Sequence, residues 1–110
     1  MAQSQEITSS GSNLILSSGL DQITSAIIFQ VEPSTGANAW TGSLQPQKKV
    51  FGSTTYHSAS YTRLTDGAIL TGSISSAGIF SLDATGCEVL LSHTCASGSV
   101  NVFTSLVISR

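Results

Sequence analysis

Charged residues are scarce in this sequence. Lys and Arg number four and Asp and Glu six among 110 residues, which gives a formal net charge of −2. A protein that binds nucleic acid needs enough cations to neutralise several phosphates. The permanent cations are Lys48, Lys49, Arg63 and Arg110. We therefore expect no nucleic-acid partner.

Long apolar runs are also missing. No stretch reaches the roughly 20 apolar residues that a membrane-spanning helix needs. The start of the chain, Met1 to Glu6, lacks the basic residues and apolar run of a secretory signal. We expect a protein with no membrane partner that is made and kept in a cytosol or released by lysis.

Cysteine and histidine occur only twice each. Cys87 and Cys95 bracket a segment that is predicted to be an extended strand. At about 3.3 Å per residue the two sulfurs lie roughly 20 Å or more apart, which is too far for a disulfide. His57 and His93 lack the spacing of a zinc site. We interpret His93 as an incidental half-buried residue and expect no metal and no cofactor.

Catalytic motifs are absent. The sequence has no Gly-x-Ser-x-Gly motif, phosphate-binding loop or dinucleotide fingerprint. A glycosidase needs two carboxylates in a cleft, and a sandwich of this size has little room for a deep one. Asp66 and Asp83 lie beside turn positions, where a carboxylate stabilises the turn. We predict that the protein is not an enzyme and has no catalytic residues.

Serine and threonine, in contrast, make up about 30% of the chain. A surface of hydroxyl groups can pack against a neighbour without desolvating many ions. This composition is compatible with permanent packing in an assembly, and equally with a β-protein whose surface is simply neutral.

Short β-branched runs separated by Gly, Ser, Asn and Asp take the place of helical periodicity. The clearest run is Val100 to Ile108, whose even-numbered residues predict a core face. Phe103 and Val107 lie on its other face, which we expect to be at least partly covered. Further strands are predicted at residues 13–17, 23–31, 40–44, 55–63, 68–73, 78–82 and 88–94, with Pro33 and Pro46 in loops.

Strands that recur about every ten residues, with turn signals between them, predict an all-β fold. We expect a small antiparallel β-sandwich of jelly-roll or Greek-key type at residues 14–110.

Residues 1–13 are polar, with Ile7 as the only large apolar side chain after Met1. One interpretation is a frayed terminus. The other is an N-terminal arm that adds a strand to a neighbouring subunit. For the arm, the expected interface residues are Gln5, Glu6, Ile7 and Thr8.

Three aromatic residues are candidates for ligand stacking. Trp40, Tyr56 and Tyr61 could stack on sugars or protein partners if they were exposed. A lone tryptophan is buried in most proteins, so packing of Trp40 between the sheets is the favoured interpretation.

The C-terminal third carries a glycine, an aromatic residue, an alternating strand, an Asp and, three residues later, another Gly. A further strand and a Ser-Gly-Ser-Val-Asn-Val hairpin come next. The segments are Ser76–Gly86, Val89–Leu91 and Ser97–Val102, with Trp40–Leu44 as an earlier strand. They resemble a β-sandwich module that is common in virion proteins of tailed bacteriophages. The resemblance extends over most of the chain from about Ile27.

The sequence departs from that module in two places. Gln45–Lys49 lacks the Asp-Gly and the second tryptophan of the module, and Leu90 and Leu91 stand where the module often carries arginines. These departures concern any shared ligand surface rather than the sandwich.

The resemblance implies a structural protein of the virion. A small module that stands almost alone is similar to head decoration, or cement, proteins, which often form trimers on the outer shell. The implied partners are the major capsid protein or other virion proteins, joined by many weak contacts. The implied location is the capsid surface, after synthesis in the host cytoplasm. The alternative is a carbohydrate-binding or receptor-binding module of a phage tail or fibre.

Overall fold

The computed structural model describes residues 2–17 and 24–108. They form ten β-strands and one short 3-10 helix, and no helix among them could cross a membrane. The strands are β1 (Ala2–Ile7), β2 (Gly11–Ser17), β3 (Thr24–Pro33), β4 (Thr41–Val50), β5 (His57–Ser58), β6 (Tyr61–Arg63), β7 (Ile69–Leu70), β8 (Gly78–Asp83), β9 (Cys87–Ser97) and β10 (Val100–Ile108); the helix is Gly36–Asn38.

The strands form two antiparallel sheets. One sheet has the order β1-β10-β3-β8-β6-β7, and the other has the order β2-β9-β4-β5. Consecutive strands alternate between the sheets from β1 to β4 and from β8 to β10, so most hydrogen-bonded neighbours are distant in sequence. The sheets pack through one shared core. The prediction of an all-β fold with two antiparallel sheets is confirmed.

Alternate residues of the central strands fill the space between the sheets. Ile27, Phe29 and Val31 of β3 are almost completely buried, and Val89 and Leu91 of β9 meet the core from the other sheet. Burial of each large apolar side chain contributes about 1.5–3 kcal/mol. This inner layer is therefore the main source of stability.

Strand β10 has the predicted core face. Val100, Val102 and Thr104 are buried, whereas Phe103 and Val107 lie on the outer side and are exposed. The described part of the chain thus covers Phe103 and Val107 only in part, with 41% and 40% of these residues exposed, as the prediction of partial cover allows.

The N-terminal segment differs from the expected arm. Strand β1 pairs with β10 of its own chain, from Ala2 opposite Ser105 to Ile7 opposite Val100. Ile7 is 3% exposed and belongs to the core. The boundary expected after residue 13 falls inside β2. This polar segment joins the domain because its backbone pairs with the edge of β10 and because Ile7 is buried in the core.

Pro46 was predicted to lie in a loop, and this prediction is wrong. It lies within β4, opposite Leu91, and is buried. Its carbonyl oxygen accepts a hydrogen bond from the Ala59 amide at 3.0 Å. The nitrogen and carbonyl of a strand residue point to the same neighbour. The proline nitrogen therefore faces the side of β5, which has already ended at Ser58. Because no strand residue lies opposite that nitrogen, its missing hydrogen removes no hydrogen bond of the ladder.

The two cysteines lie eight residues apart on one strand, β9, and are not joined by a disulfide. This confirms the prediction that an extended segment separates them.

A charged turn closes the β6–β7 hairpin. The Arg63 guanidinium donates to both carboxylate oxygens of Asp66, at 3.0 and 2.6 Å. The same carboxylate accepts the Ala68 amide at 3.1 Å. Hydrogen bonds from the guanidinium, then from this amide, lower the pKa of Asp66 to about 2. Gly67 takes the positive φ of 76° that the turn requires.

We expect Val102→Asp to prevent folding, because it buries an unpaired charge at a cost comparable with the roughly 5–15 kcal/mol that stabilises a domain. Ser105→Asp places the same charge on the exposed side of the same strand and should leave a cooperative melt. Circular dichroism of both variants measures this. Equal loss of folding in the two variants would contradict the inner and outer assignment.

The Asp66 carboxyl should titrate with a midpoint near 2 in NMR spectra, because its ionised form is held by Arg63 and the Ala68 amide. A depressed pKa stabilises the folded state above the ordinary carboxyl pKa, and this contribution is lost as the pH falls through about 2. Arg63→Gln should move the midpoint upward. An unchanged midpoint in that variant would show that Arg63 is not the main cause.

Candidate functional site

The outer side of the six-stranded sheet carries four apolar residues that we call the outer patch: Ile28, Ile79, Phe103 and Val107. Ile79, Phe103 and Val107 are 37–41% exposed, and Ile28 is half-buried among them. Phe103 and Ile79 flank Gln30 in one cross-strand row, and Ile28 lies in the next row. Diagonal neighbours on a sheet are close enough for such side chains to touch. The four residues therefore form one surface.

The charged residues that the described strands place on this outer side are all acidic. Glu6 and Glu32 lie on either side of Asn101 at one end of the sheet, and Asp83 lies in the row of Val107 at the other. All three carboxylate side chains are exposed. The strands in this sheet place no lysine on that side within the described residues. A partner surface with basic residues at its margin would complement this arrangement.

The other sheet has a different outer surface. Ser43, Gln45, Ser92 and Thr94 lie on the outer side of β4 and β9, and Ser43 and Thr94 are hydrogen-bonded at 3.0 Å. Polar side chains thus line this part of the four-stranded sheet, whereas the outer patch of its partner sheet combines its apolar residues with Ser81 and Ser105 in the row of Ile28.

A second candidate site is a cavity of about 460 Å³ that we call the β4–β5 pocket. It opens where β4 ends, beside β5 and the start of β9. The residues that line it are Lys48, Lys49, Val50, Ser53, Thr54, Thr55, His57, Ser58 and Cys87. Its volume falls in the range of small-molecule sites.

The two lysines of the β4–β5 pocket have different partners. Lys49 Nζ lies 3.1 Å from the Glu88 carboxylate, 2.9 Å from the Ser53 carbonyl oxygen and 5.2 Å from the centre of the Tyr56 ring. Lys48 Nζ donates to the backbone carbonyl of Asp83 in the facing sheet at 3.3 Å. Lys48 forms no ion pair with any residue that the structure describes.

The three aromatic candidates do not form one stacking surface. Trp40 is 8% exposed and packs against Gly42, where a Cβ atom would lie 2.8 Å from the indole nitrogen. Tyr61 is 3% exposed, and its hydroxyl donates to the Gly72 carbonyl at 2.6 Å. Burial raises the pKa of Tyr61. Tyr56 is half-buried under Lys49. Packing of Trp40 in the core, the favoured interpretation, is what the structure shows.

The candidate interface residues at the N-terminus are also distributed differently from the expectation. Ile7 is buried in the core of its own chain, Gln5 is half-buried, and Glu6 and Thr8 are exposed. Ile7 therefore cannot serve as the apolar contact of an arm in this conformation.

The histidines and the turn carboxylates each make their own local contacts. His93 is buried, with Nδ1 2.9 Å from the Ser9 carbonyl oxygen, whereas His57 is exposed at the β4–β5 pocket. Asp83 accepts the Thr85 amide at 3.0 Å, a bond that is the main cause of its lowered pKa. This confirms the turn-stabilising role predicted for Asp66 and Asp83. The described residues include no cluster of three metal-ligating side chains.

Sequence reasoning did not identify the outer patch as one surface or the β4–β5 pocket as a site. The parity of β10 pointed to Phe103 and Val107, but their neighbours Ile28 and Ile79 come from strands that are distant in sequence. The sequence signal that could have indicated the β4–β5 pocket is the adjacent pair Lys48 and Lys49, which both line it.

No protein-family model matches the chain, and no curated protein matches it by sequence. Among solved structures, the chain is similar to the SPBc2 prophage-derived protein YomS, with a TM-score of 0.64 and 13% identity. The likeness covers 96% of this chain and 94% of YomS. The two proteins therefore share a fold over nearly their whole lengths.

Trp40 is the only tryptophan, so intrinsic fluorescence reports its environment directly. We expect blue-shifted emission and weak quenching by acrylamide in the folded protein, and strong quenching after denaturation in guanidinium. Neutral oligosaccharides should leave the emission unchanged. Strong quenching in the folded state, or a saturable shift with an oligosaccharide, would contradict the buried position.

Proposed function

We propose that this protein is a non-catalytic structural component of a tailed-phage virion, and that it acts as a decoration or cement protein on the head. The outer patch is the observation that carries this proposal. Four apolar side chains lie on one sheet face, and the charged residues that the described strands add are acidic and lie at its ends. Such a surface has the character of a protein contact. The fold shared with a prophage-derived protein supports the same assignment.

The proposed occupant of the outer patch is a capsid subunit with basic residues around the contact. Two copies of this chain placed face to face would bring Glu6, Glu32 and Asp83 of each copy into one interface. Like charges oppose such an arrangement. A different protein with lysine or arginine at the margin would cover the same apolar residues and pair with the carboxylates.

Each copy is proposed to contact more than one shell subunit, so that many weak contacts act together. Sister copies, in a trimer as the resemblance implies, would contact each other through surfaces other than the outer patch. Few charges and many hydroxyl groups suit such permanent packing.

Quantitative mass spectrometry of purified particles tests the assignment to the virion. A decoration protein should be present at hundreds of copies per particle and should be released before the shell itself breaks. Absence from particles, or only a few copies, would reject the head-decoration role.

Phe103→Asp tests the outer patch. Because Phe103 is 41% exposed, the variant should fold, but its binding to particles assembled without this chain should fall by about 30-fold or more. Thr41→Asp adds the same charge to an exposed position of the other sheet and should bind as the unmodified protein does. Equal binding of Phe103→Asp and the unmodified protein would place the contact elsewhere.

A further inference from the structure

We infer that the β4–β5 pocket binds an oxyanion, a carboxylate or a phosphate, that is carried on a small polyhydroxylated molecule such as a sugar acid or a sugar phosphate. The inference is independent of the proposed virion role, because it uses a different part of the molecule and none of the outer patch.

Lys48 supplies the charge. It pairs across the ladder with Val89, which is buried, so its side chain starts on the inner side of the sheet. From there it lines the β4–β5 pocket and reaches the Asp83 carbonyl of the facing sheet. Its ammonium group has three donors, and the bond to the Asp83 carbonyl at 3.3 Å uses one of them. That bond fixes the position of the ammonium group without neutralising its charge.

The two nearby carboxylates are held by other groups. Glu88 is paired with Lys49 at 3.1 Å, and the Asp83 carboxylate accepts the Thr85 amide at 3.0 Å. Asp83 is close enough to Lys48 for the lysine to contribute to its lowered pKa, as the smallest of the causes. An oxyanion in the pocket would therefore meet Lys48 with its positive charge available.

His57 and the hydroxyl groups complete the lining. His57 is the cross-strand neighbour of Lys48, and its exposed ring is on the same side. Ser53, Thr54, Thr55 and Ser58 add four hydroxyl groups, which can donate to an oxyanion and accept from a polyol.

The shape and composition of the pocket limit the ligand. A volume of about 460 Å³ accepts a monosaccharide-sized body but not a folded partner. Val50 and the Cys87 side chain give the pocket an apolar wall, against which the less polar face of a sugar ring can pack. A bare inorganic ion would leave that wall without contact.

NMR titration of the full chain tests the inference with four probes: glucuronate, glucose 6-phosphate, neutral glucose and inorganic phosphate. We expect saturable shifts of the amides at residues 53–58 with one of the two charged sugars, with a dissociation constant on the order of 1 mM or lower. Glucose and inorganic phosphate should bind at least about fivefold more weakly. The preferred charged sugar distinguishes a carboxylate source from a phosphate source.

Variants at three positions test the residues. Lys48→Gln should weaken binding of the preferred sugar by about tenfold or more, because a charge-assisted hydrogen bond is lost, and Lys48→Arg should retain most of it. Arg63→Gln removes a cation from the β6–β7 hairpin and should have no effect. If Lys48→Gln fails to fold, His57→Glu, at an exposed position, provides the same test by placing a carboxylate in the site.

Two outcomes would overturn the inference. One is the absence of saturable shifts at residues 53–58 with both charged sugars. The other is binding that survives in His57→Glu and in folded Lys48→Gln. Neither outcome bears on the copy number of the protein in particles, so failure of this inference is distinguishable from failure of the proposed function.

Discussion

The burial of alternate side chains between the two sheets is the constraint on which the rest of this structure depends. Side chains of a strand alternate between its two sides. Because Val100 and Val102 point inward, the directions of the remaining side chains on β10 are fixed as well. Pairing carries the same choice to β1 and β3, and from β3 to β8. The outer patch therefore exists because the core exists: Phe103 cannot turn inward without moving Val102 out.

The same constraint separates the two candidate sites. The outer patch uses the outer side of the six-stranded sheet, whereas the β4–β5 pocket includes inner positions of the four-stranded sheet, beside the end of β4 and the start of β9. A lysine is tolerated at inner position 48 because its long side chain reaches the β4–β5 pocket, where its ammonium group donates to the Asp83 carbonyl.

Much of the fold follows from local sequence signals. The alternation of Val100 to Ile108 gave both the strand and its core face, and Asp66-Gly67 marked a turn that the Arg63–Asp66 pair closes. Two other features were not predictable in this way. Strand β1 is polar, and its place depends on the open edge of β10, about 100 residues later in the chain. A proline predicts a loop at position 46. Its position in β4 is possible because β5 ends before a residue that would need a hydrogen bond from the Pro46 nitrogen. Both depend on pairings between distant segments, which alternation within one segment does not encode.

Asp83 takes part in both candidate sites through different groups. Its side chain lies at one end of the outer face, whereas its backbone carbonyl holds Lys48 at the β4–β5 pocket. A shell partner that pairs with the carboxylate would compete mainly with the Thr85 amide, which is the main cause of the lowered pKa of Asp83, and to a smaller extent with the charge of Lys48. Because a carbonyl group keeps its dipole whatever the carboxylate contacts, Lys48 stays in position when the outer face is covered. A contact on the outer patch and an oxyanion in the pocket can therefore be present in one molecule, with the attraction between Lys48 and the Asp83 carboxylate as an electrostatic link between them.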